Sequence, residues 1–193
     1  SGSGINIIST HVMMVWALAR HCGVECDKKK WKAVMDHMFR CTQGGGNIAY
    51  IIHGAGWYQS GARTGMYCIA LDLSGEEKKR KEASVEWLKA NTRTLRNSHA
   101  CGLFGMIWGT TAMAAIDKRA LRDHMDYWRW YVALGQAPDG SPVERYYIPS
   151  KGNCGGDYYL GKDFYNHAAM AMFFGSTNGN LWVQGNRIKG WYS

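Results

Sequence analysis

Leu103–Ile116 (LFGMIWGTTAMAAI), followed without a gap by Asp117–Leu134 (DKRALRDHMDYWRWYVAL), is the stretch that decides the fold. The first half holds no charge and is apolar or small all round, so a helix there must be buried on every side. The second half repeats Leu121, Met125, Trp128 and Val132 on one face and carries charges elsewhere, the pattern of a helix that covers a core and faces water. Asp117 stands where an N-cap belongs. The pair therefore reads as an inner helix and an outer helix joined by a tight turn.

Working outward, the same pair occurs twice upstream. Thr10–Arg20 (THVMMVWALAR) precedes the amphipathic Asp27–Cys41 (DKKKWKAVMDHMFRC), in which Trp31, Val34, Met35 and Met38 form one stripe after a cap at Asp27. Thr64–Leu73 (TGMYCIALDL) precedes Glu76–Arg96, whose stripe of Ala83, Val85, Trp87, Leu88 and Ala90 is weaker. A fourth apolar segment, Asn166–Phe174 (NHAAMAMFF), has no charged partner. Inner and outer helices in regular alternation predict a curved array of αα-hairpins. The fold class is all-α, with about three and a half hairpins in the array. Ser1–Gly4 (SGSG) reads as a remnant, which leaves 5–193 as one domain.

Connections from inner to outer helix are short, whereas those from outer to next inner helix are long and rich in glycine: Thr42–Arg63, Asn97–Gly102 and Gly135–Tyr165. By chain direction all three fall on one rim, and long loops in a compact domain are commonly functional. Gly44-Gly45-Gly46 and Gly54-x-Gly56 lack the Gly-Lys-Ser/Thr of a phosphate loop and read as turn residues. Short strand pairs are expected at Ile48–Ile52 and Arg145–Ile148.

Composition bounds the rest. With 46% apolar and 20% charged residues the chain is ordinary for a globular domain, but nine Trp and eleven Tyr exceed what a core needs and suggest platforms for a flat ligand. The net charge of +8 favours anionic ligands in general. The run Glu76–Glu82 (EEKKRKE) mixes signs and reads as a solvated face. No nucleic-acid motif is present and no apolar run is long enough to span a membrane. Six scattered cysteines are not a disulfide framework and are expected to be reduced.

With array and loops in hand, the chain resembles the α/α-toroid superfamily of six-hairpin glycosidases, terpenoid cyclases and protein prenyltransferases. ALARHCGVEC, HGAGWYQSGARTG, SHACGLFGMIW and PSKGNCGGDYYLGKDFYNHAAMA are similar to the C-terminal part of a bacterial family of toroid proteins, a likeness that brings no activity with it. Closed toroids of these families use about five to seven hairpins, so the resemblance implies an incomplete α/α toroid of about three and a half hairpins, as an open arc, a fragment or one part of an assembly, whose ends need a cover: self-association or a missing toroid half. GKDFYNHAAMAMFFG also resembles the prenyltransferase segment that carries a zinc-binding histidine after Asp-Phe-Tyr. Here Asn166 holds that place with His167 one residue late, and His99-x-Cys101 stands where the family has Asp-x-Cys.

Three chemistries follow for the rim. His99, Cys101 and His167 have side chains that suit zinc, with Asp157 or Asp163 completing the set. Alternatively Cys101, at a helix N-terminus, is a nucleophile with His167 as its base and Asp163 or Asp157 orienting it. A glycosidase-like site would pair carboxylates from Asp139, Glu144, Asp157 and Asp163 among Tyr146, Tyr147, Tyr158, Tyr159 and Tyr165, with Trp57 and Tyr58 as stacking platforms. Arg63 would hold an anionic group beside a helix N-terminus or cap the loop. The bland alternative is that His99 and Cys101 cap a helix and pack. A second zinc spacing, Cys22-x3-Cys26-x10-His37-x3-Cys41, has the ligand count of a structural site but not the usual Cys-x2-Cys knuckle. The expected function is a rim pocket for a glycan or similar polymer. The alternatives are a non-catalytic assembly module and a zinc-dependent transferase or hydrolase.

Overall fold

The computed structural model describes residues 5–52, 60–96, 102–135, 138–139 and 162–176. Among these, seven α-helices follow one another: α1 (Asn6–His21), α2 (Lys28–Cys41), α3 (Gly61–Ser74), α4 (Lys78–Ala90), α5 (Gly102–Ile116), α6 (Lys118–Leu134) and α7 (Lys162–Gly175). The fold is all-α, and the odd-numbered helices pack in a row, α1 on α3, α3 on α5 and α5 on α7, with α2, α4 and α6 each beside its own partner.

The row is parallel, and small residues allow it. A Cβ on Gly61 would lie 3.5 Å from Gly105 Cα, and one on Gly65 would strike the Trp108 carbonyl and sit 2.8 Å from Gly109 N. Sequence numbers rise together along both helices, which therefore run the same way. Close backbone approach trades the weak helix propensity of glycine for dispersion contact over the whole interface. Gly61–Leu71 of α3 is buried at every position, as an inner helix requires. Met13, Met66 and Ile107 are all buried in this layer, and Met170 packs against the α5 side of it.

The outer helices are amphipathic as expected, but only α2 keeps its expected stripe. In α6 Trp128 is buried while Leu121, Met125 and Val132 are only partly so, the buried face lying about one residue to the side. In α4 Val85 and Leu88 are buried while Ala83 and Ala90 are exposed. Trp31, Met35, Met38 and Cys41 bury one face of α2, and Ala120, His124, Trp128 and Tyr131 one face of α6. Both caps are made: Asp27 Oδ1 accepts from Lys29 N (2.8 Å) and Lys30 N (3.2 Å), and Asp117 Oδ1 from Arg119 N and Ala120 N (both 3.0 Å). Glu76 ties the first hairpin to the second by accepting from Arg20 Nη1 (3.1 Å) and Trp31 Nε1 (3.2 Å).

Four boundaries differ from the sequence reading. Helix α1 begins at Asn6 rather than Thr10, and α3 at Gly61 rather than Thr64. Helix α4 ends at Ala90, and a 3-10 turn at Thr92–Thr94 replaces its expected last turns. Helix α7 begins at Lys162, so Asp163 and Tyr165 belong to a helix and not to the preceding loop. The strand expected at Ile48–Ile52 is a single antiparallel bridge between Thr42 and Ile48. Arg145–Ile148 lies outside the described residues.

Candidate functional site

The described part of the glycine-rich rim is built where the chain leaves α2 and enters α3. Gln43–Gly46 turns back on itself through Gln43 N to Asn47 O (2.8 Å) and Gly46 N to Gln43 O (2.8 Å). Gly46 has φ +90°, and a Cβ there would lie 2.5 Å from Ala83 O, so the turn demands glycine both for its backbone and for its seat on α4. Ser84 Oγ donates to Gly46 O (2.6 Å) and fixes that seat. The chain then runs beneath the N-terminus of α3, where Ile48 N donates to Thr64 Oγ1 (3.2 Å) and Asn47 Nδ2 to Ser60 Oγ (3.2 Å).

Arg63, a candidate binding residue of the rim, faces inward. It is fully buried, with Nε donating to Ile48 O (3.2 Å), Nη2 to Ser60 Oγ (3.4 Å), and the guanidinium 5.3 Å from the Tyr50 ring centroid. Burial pulls its pKa down to about 10, and the group remains a cation at neutral pH. Of the two sequence roles for Arg63, this geometry is that of a loop clamp.

Trp57, Tyr58, His99, Cys101, Asp157 and Tyr158 lie outside the described residues. Asp163, Tyr165 and His167 are placed on the first turns of α7 by the backbone.

A second polar cluster was not anticipated as a unit. Asn6, fully buried at the start of α1, donates Nδ2 to Ala49 O (2.9 Å), while its backbone N donates to Tyr50 O (2.9 Å). Its Oδ1 lies 3.0 Å from His37 Nε2 and accepts from Cys41 Sγ at 3.5 Å, with His37 Nε2 and Cys41 Sγ 3.6 Å apart. The i,i+4 spacing of His37 and Cys41 was legible, but Asn6 gives no signal of its role. Cys, His and Asn together resemble a thiol-hydrolase set, yet the electrostatics run the other way. Desolvation, first, lowers the His37 pKa and raises that of Cys41, so burial works against a thiolate–imidazolium pair. The trio pins α1, α2 and the loop together.

The same placement separates the second zinc spacing. His37 and Cys41 end α2, whereas Cys22 and Cys26 precede it, about 15 Å away along the helix axis at 1.5 Å per residue. Among the described residues no three or more His, Cys, Asp or Glu side chains come together as metal ligands, and Cys22, Cys26, Cys41 and Cys68 are free thiols.

A buried histidine on α6 was likewise unforeseen. His124 is held between Thr92 Oγ1 on Nδ1 (3.0 Å) and Thr110 Oγ1 on Nε2 (2.9 Å), joining α6 to α5 and to the turn after α4. Burial pushes its pKa down to about 4, so it is a neutral structural link.

At the start of the row, α1 buries only Asn6, Ile7, Thr10, Met13 and Ala17. The opposite face leaves Ile8, Val12 and Val15 exposed at 63%, 40% and 57%. At the other end Ala168, Ala171 and Phe174 of α7 are exposed.

Residues 1–175 match the family described as Domain of unknown function (DUF6288), and the chain belongs to that family. No curated protein and no solved structure matches it.

Proposed function

We propose that this family member is an assembly module: an arc of an α/α toroid whose row of inner helices is continued by a second copy of the chain. The observation that carries the reading is the open face of α1. Ile8, Val12 and Val15 recur at i, i+4 and i+7, and Ile5–Ala19 contains no Lys, Arg, Asp or Glu. An apolar stripe of that kind on a helix of the inner row is out of place against water and marks an interaction surface. The occupant it fits is another inner helix with shallow positions, as α3 offers Ala62 and Ala70 to α1 itself. Helix α7 exposes Ala168 and Ala171 beside Phe174, so each copy carries both halves of a heterologous contact. Such contacts close into rings when the rotation allows. The net charge of +8 opposes association only weakly at physiological salt, because the stripe itself is uncharged and the Debye length is about 8 Å.

Light scattering on the purified chain tests this. A concentration-dependent oligomer is expected, and Val12→Lys with Val15→Lys should return it to a monomer with unchanged helicity. Disulfide trapping between Val12→Cys on one copy and Ala171→Cys on another checks the register. A wild-type chain that stays monomeric at high concentration, or an oligomer indifferent to both lysines, ends the proposal. The rim pocket for a glycan and the zinc chemistry of His99, Cys101 and His167 keep their grounds in the sequence alone.

A further inference from the structure

The rim opposite the glycine-rich loops has a charge pattern that the assembly reading does not use. There the inner helices end and the outer helices begin, through Cys22–Asp27, Gly75–Glu77 and the single residue Asp117. None of the three outer helices has an acidic residue in its first turn. Cations stand there instead: Lys28, Lys29 and Lys30 on α2, Lys78 and Lys79 on α4, Lys118 and Arg119 on α6. Acids come later along each helix, at Asp36, Glu82 and Asp123. Each run follows an acidic N-cap position, Asp27, Glu77 or Asp117, and its cations crowd the first turn just inside, where the positive end of the helix macrodipole disfavours them; the pattern recurs in all three hairpins.

Ion pairing leaves most of these charges unneutralised. Arg80 is held by Glu77 (3.3 Å) and Lys81 by Asp72 (2.8 Å), and Glu76 is taken by Arg20. Asp27 and Asp117 are engaged as caps, and Asp117 also pairs with Lys89 (3.3 Å). Lys28, Lys29, Lys30, Lys79, Lys118 and Arg119 are all exposed and face no carboxylate within ion-pair distance among the described residues. Glu25 is the acid left at the same rim without such a bond. At the tip of the first hairpin Val24 is 56% exposed amid these lysines.

We infer that this short-connection rim docks on an anionic lipid surface. Its cations are spread over three helix starts instead of converging on a pocket, which suits an extended sheet of negative charge and not a small anion. An exposed aliphatic tip gains by entering a headgroup layer and gains nothing from a nucleic-acid backbone. Among the described residues of this rim no exposed aromatic side chain is available to stack on bases, since Trp31 is buried. A single charged run is ordinarily a solvated face; three in register on one rim, each against its helix dipole, make a surface.

Co-sedimentation of the whole chain with vesicles is the test. Binding is expected to phosphatidylcholine vesicles containing roughly 30% phosphatidylserine and not to phosphatidylcholine alone, and it should vanish near 0.5 M salt, about the range where screening removes surface attraction. The triple variant Lys28→Ala, Lys29→Ala, Lys30→Ala should bind at least about tenfold more weakly. Its thermal midpoint should stay or rise, because it relieves the dipole conflict. Lys118→Ala with Arg119→Ala should weaken binding from a different helix, and Val24→Asp should weaken it at constant lysine content. Equal binding to neutral vesicles, or none to acidic ones, overturns the inference. So does stronger binding to single-stranded poly-uridylate with no effect of Val24→Asp, which would place nucleic acid on this rim.

Discussion

Helices α3 and α1 are both inner helices, and both were read from the same small, apolar composition. Helix α3 meets α1 on one side, α5 on the other and α4 behind, and eleven consecutive residues from Gly61 to Leu71 are buried. Helix α1 has neighbours on one side, and its buried positions fall back to the three-and-four spacing of an amphipathic helix although its exposed face is apolar too. Composition reports what a helix tolerates; its place in the row decides what is covered. An apolar residue facing water is therefore informative only once the row is known, because in α3 the same residue type is ordinary core.

The sharpest way to break this contrast is at the α3–α5 contact. Gly65→Leu puts a side chain into the Trp108 backbone, where no rotamer can yield, and the two helices must separate. A loss of about 4 kcal/mol or more is expected, enough to unfold a marginally stable domain, and urea denaturation followed by circular dichroism measures it. A Gly65→Leu chain with a near-native midpoint would mean that the row is not sealed there.

The closed side of the molecule also has a pH signature. His124 has a folded pKa of about 4 against an ordinary 6.5, so the unfolded chain binds its proton first. Stability is complete above the unfolded value and is lost as pH falls from about 6.5 towards 4, by about 3 kcal/mol for a group so deeply buried. His37 shifts in the same direction and adds a smaller share, since it is only partly buried. His124→Gln should flatten most of that slope in melts taken at stepped pH; an unchanged slope would assign the acid sensitivity elsewhere.

How much of this was legible follows from which interactions are local. The caps of α2 and α6 and the stripe of α2 are written within a few residues of one another, and the structure reproduces them with Asp27 and Asp117 in place. The buried face of α6, by contrast, sits about one residue from its expected stripe because His124 and Tyr131 are drawn inward by partners on other elements. The first turn of α1 was missed because Asn6 is held by backbone groups at Ala49 and Tyr50, more than forty residues away. Arg63 was legible as a residue beside a helix start but not as a buried one. Its burial depends on Ile48 O, Ser60 and Tyr50 arriving from a loop whose path no periodicity encodes. His124 sits on the buried stripe of α6, yet its two threonine partners come from other elements. Of the rim residues proposed from sequence, Trp57, Tyr58, His99, Cys101, Asp157 and Tyr158 fall outside the described residues and make no contribution to either side of that contrast.

Caps should give a smaller, more local effect. Asp117→Ala removes two bonds to helix amides and the partner of Lys89, and should cost about 1 kcal/mol. Hydrogen bonding to the Ala120 amide, first, holds this carboxyl below its ordinary pKa, so the wild-type contribution should fade as the carboxyl protonates in acid. Equal wild-type and variant midpoints at neutral pH would show that the turn between α5 and α6 holds without its cap.

The smallest effect is the most discriminating, because it is expected to be near zero in one state and not in the other. Val15→Thr on α1 replaces a methyl by a hydroxyl at a site 57% exposed, and in the isolated chain such a surface change should move stability by less than about 0.5 kcal/mol. In an assembled chain the same site would be covered, and burying a hydroxyl without a partner costs about 1–3 kcal/mol. Melting wild type and variant across a dilution series separates the two. Curves that coincide at low concentration and diverge at high concentration locate Val15 in a contact, whereas curves that coincide throughout leave α1 as an open end that water simply wets. A difference present at every dilution would instead mean that Val15 is already packed within a single chain, contrary to the exposure on which its contrast with α3 rests.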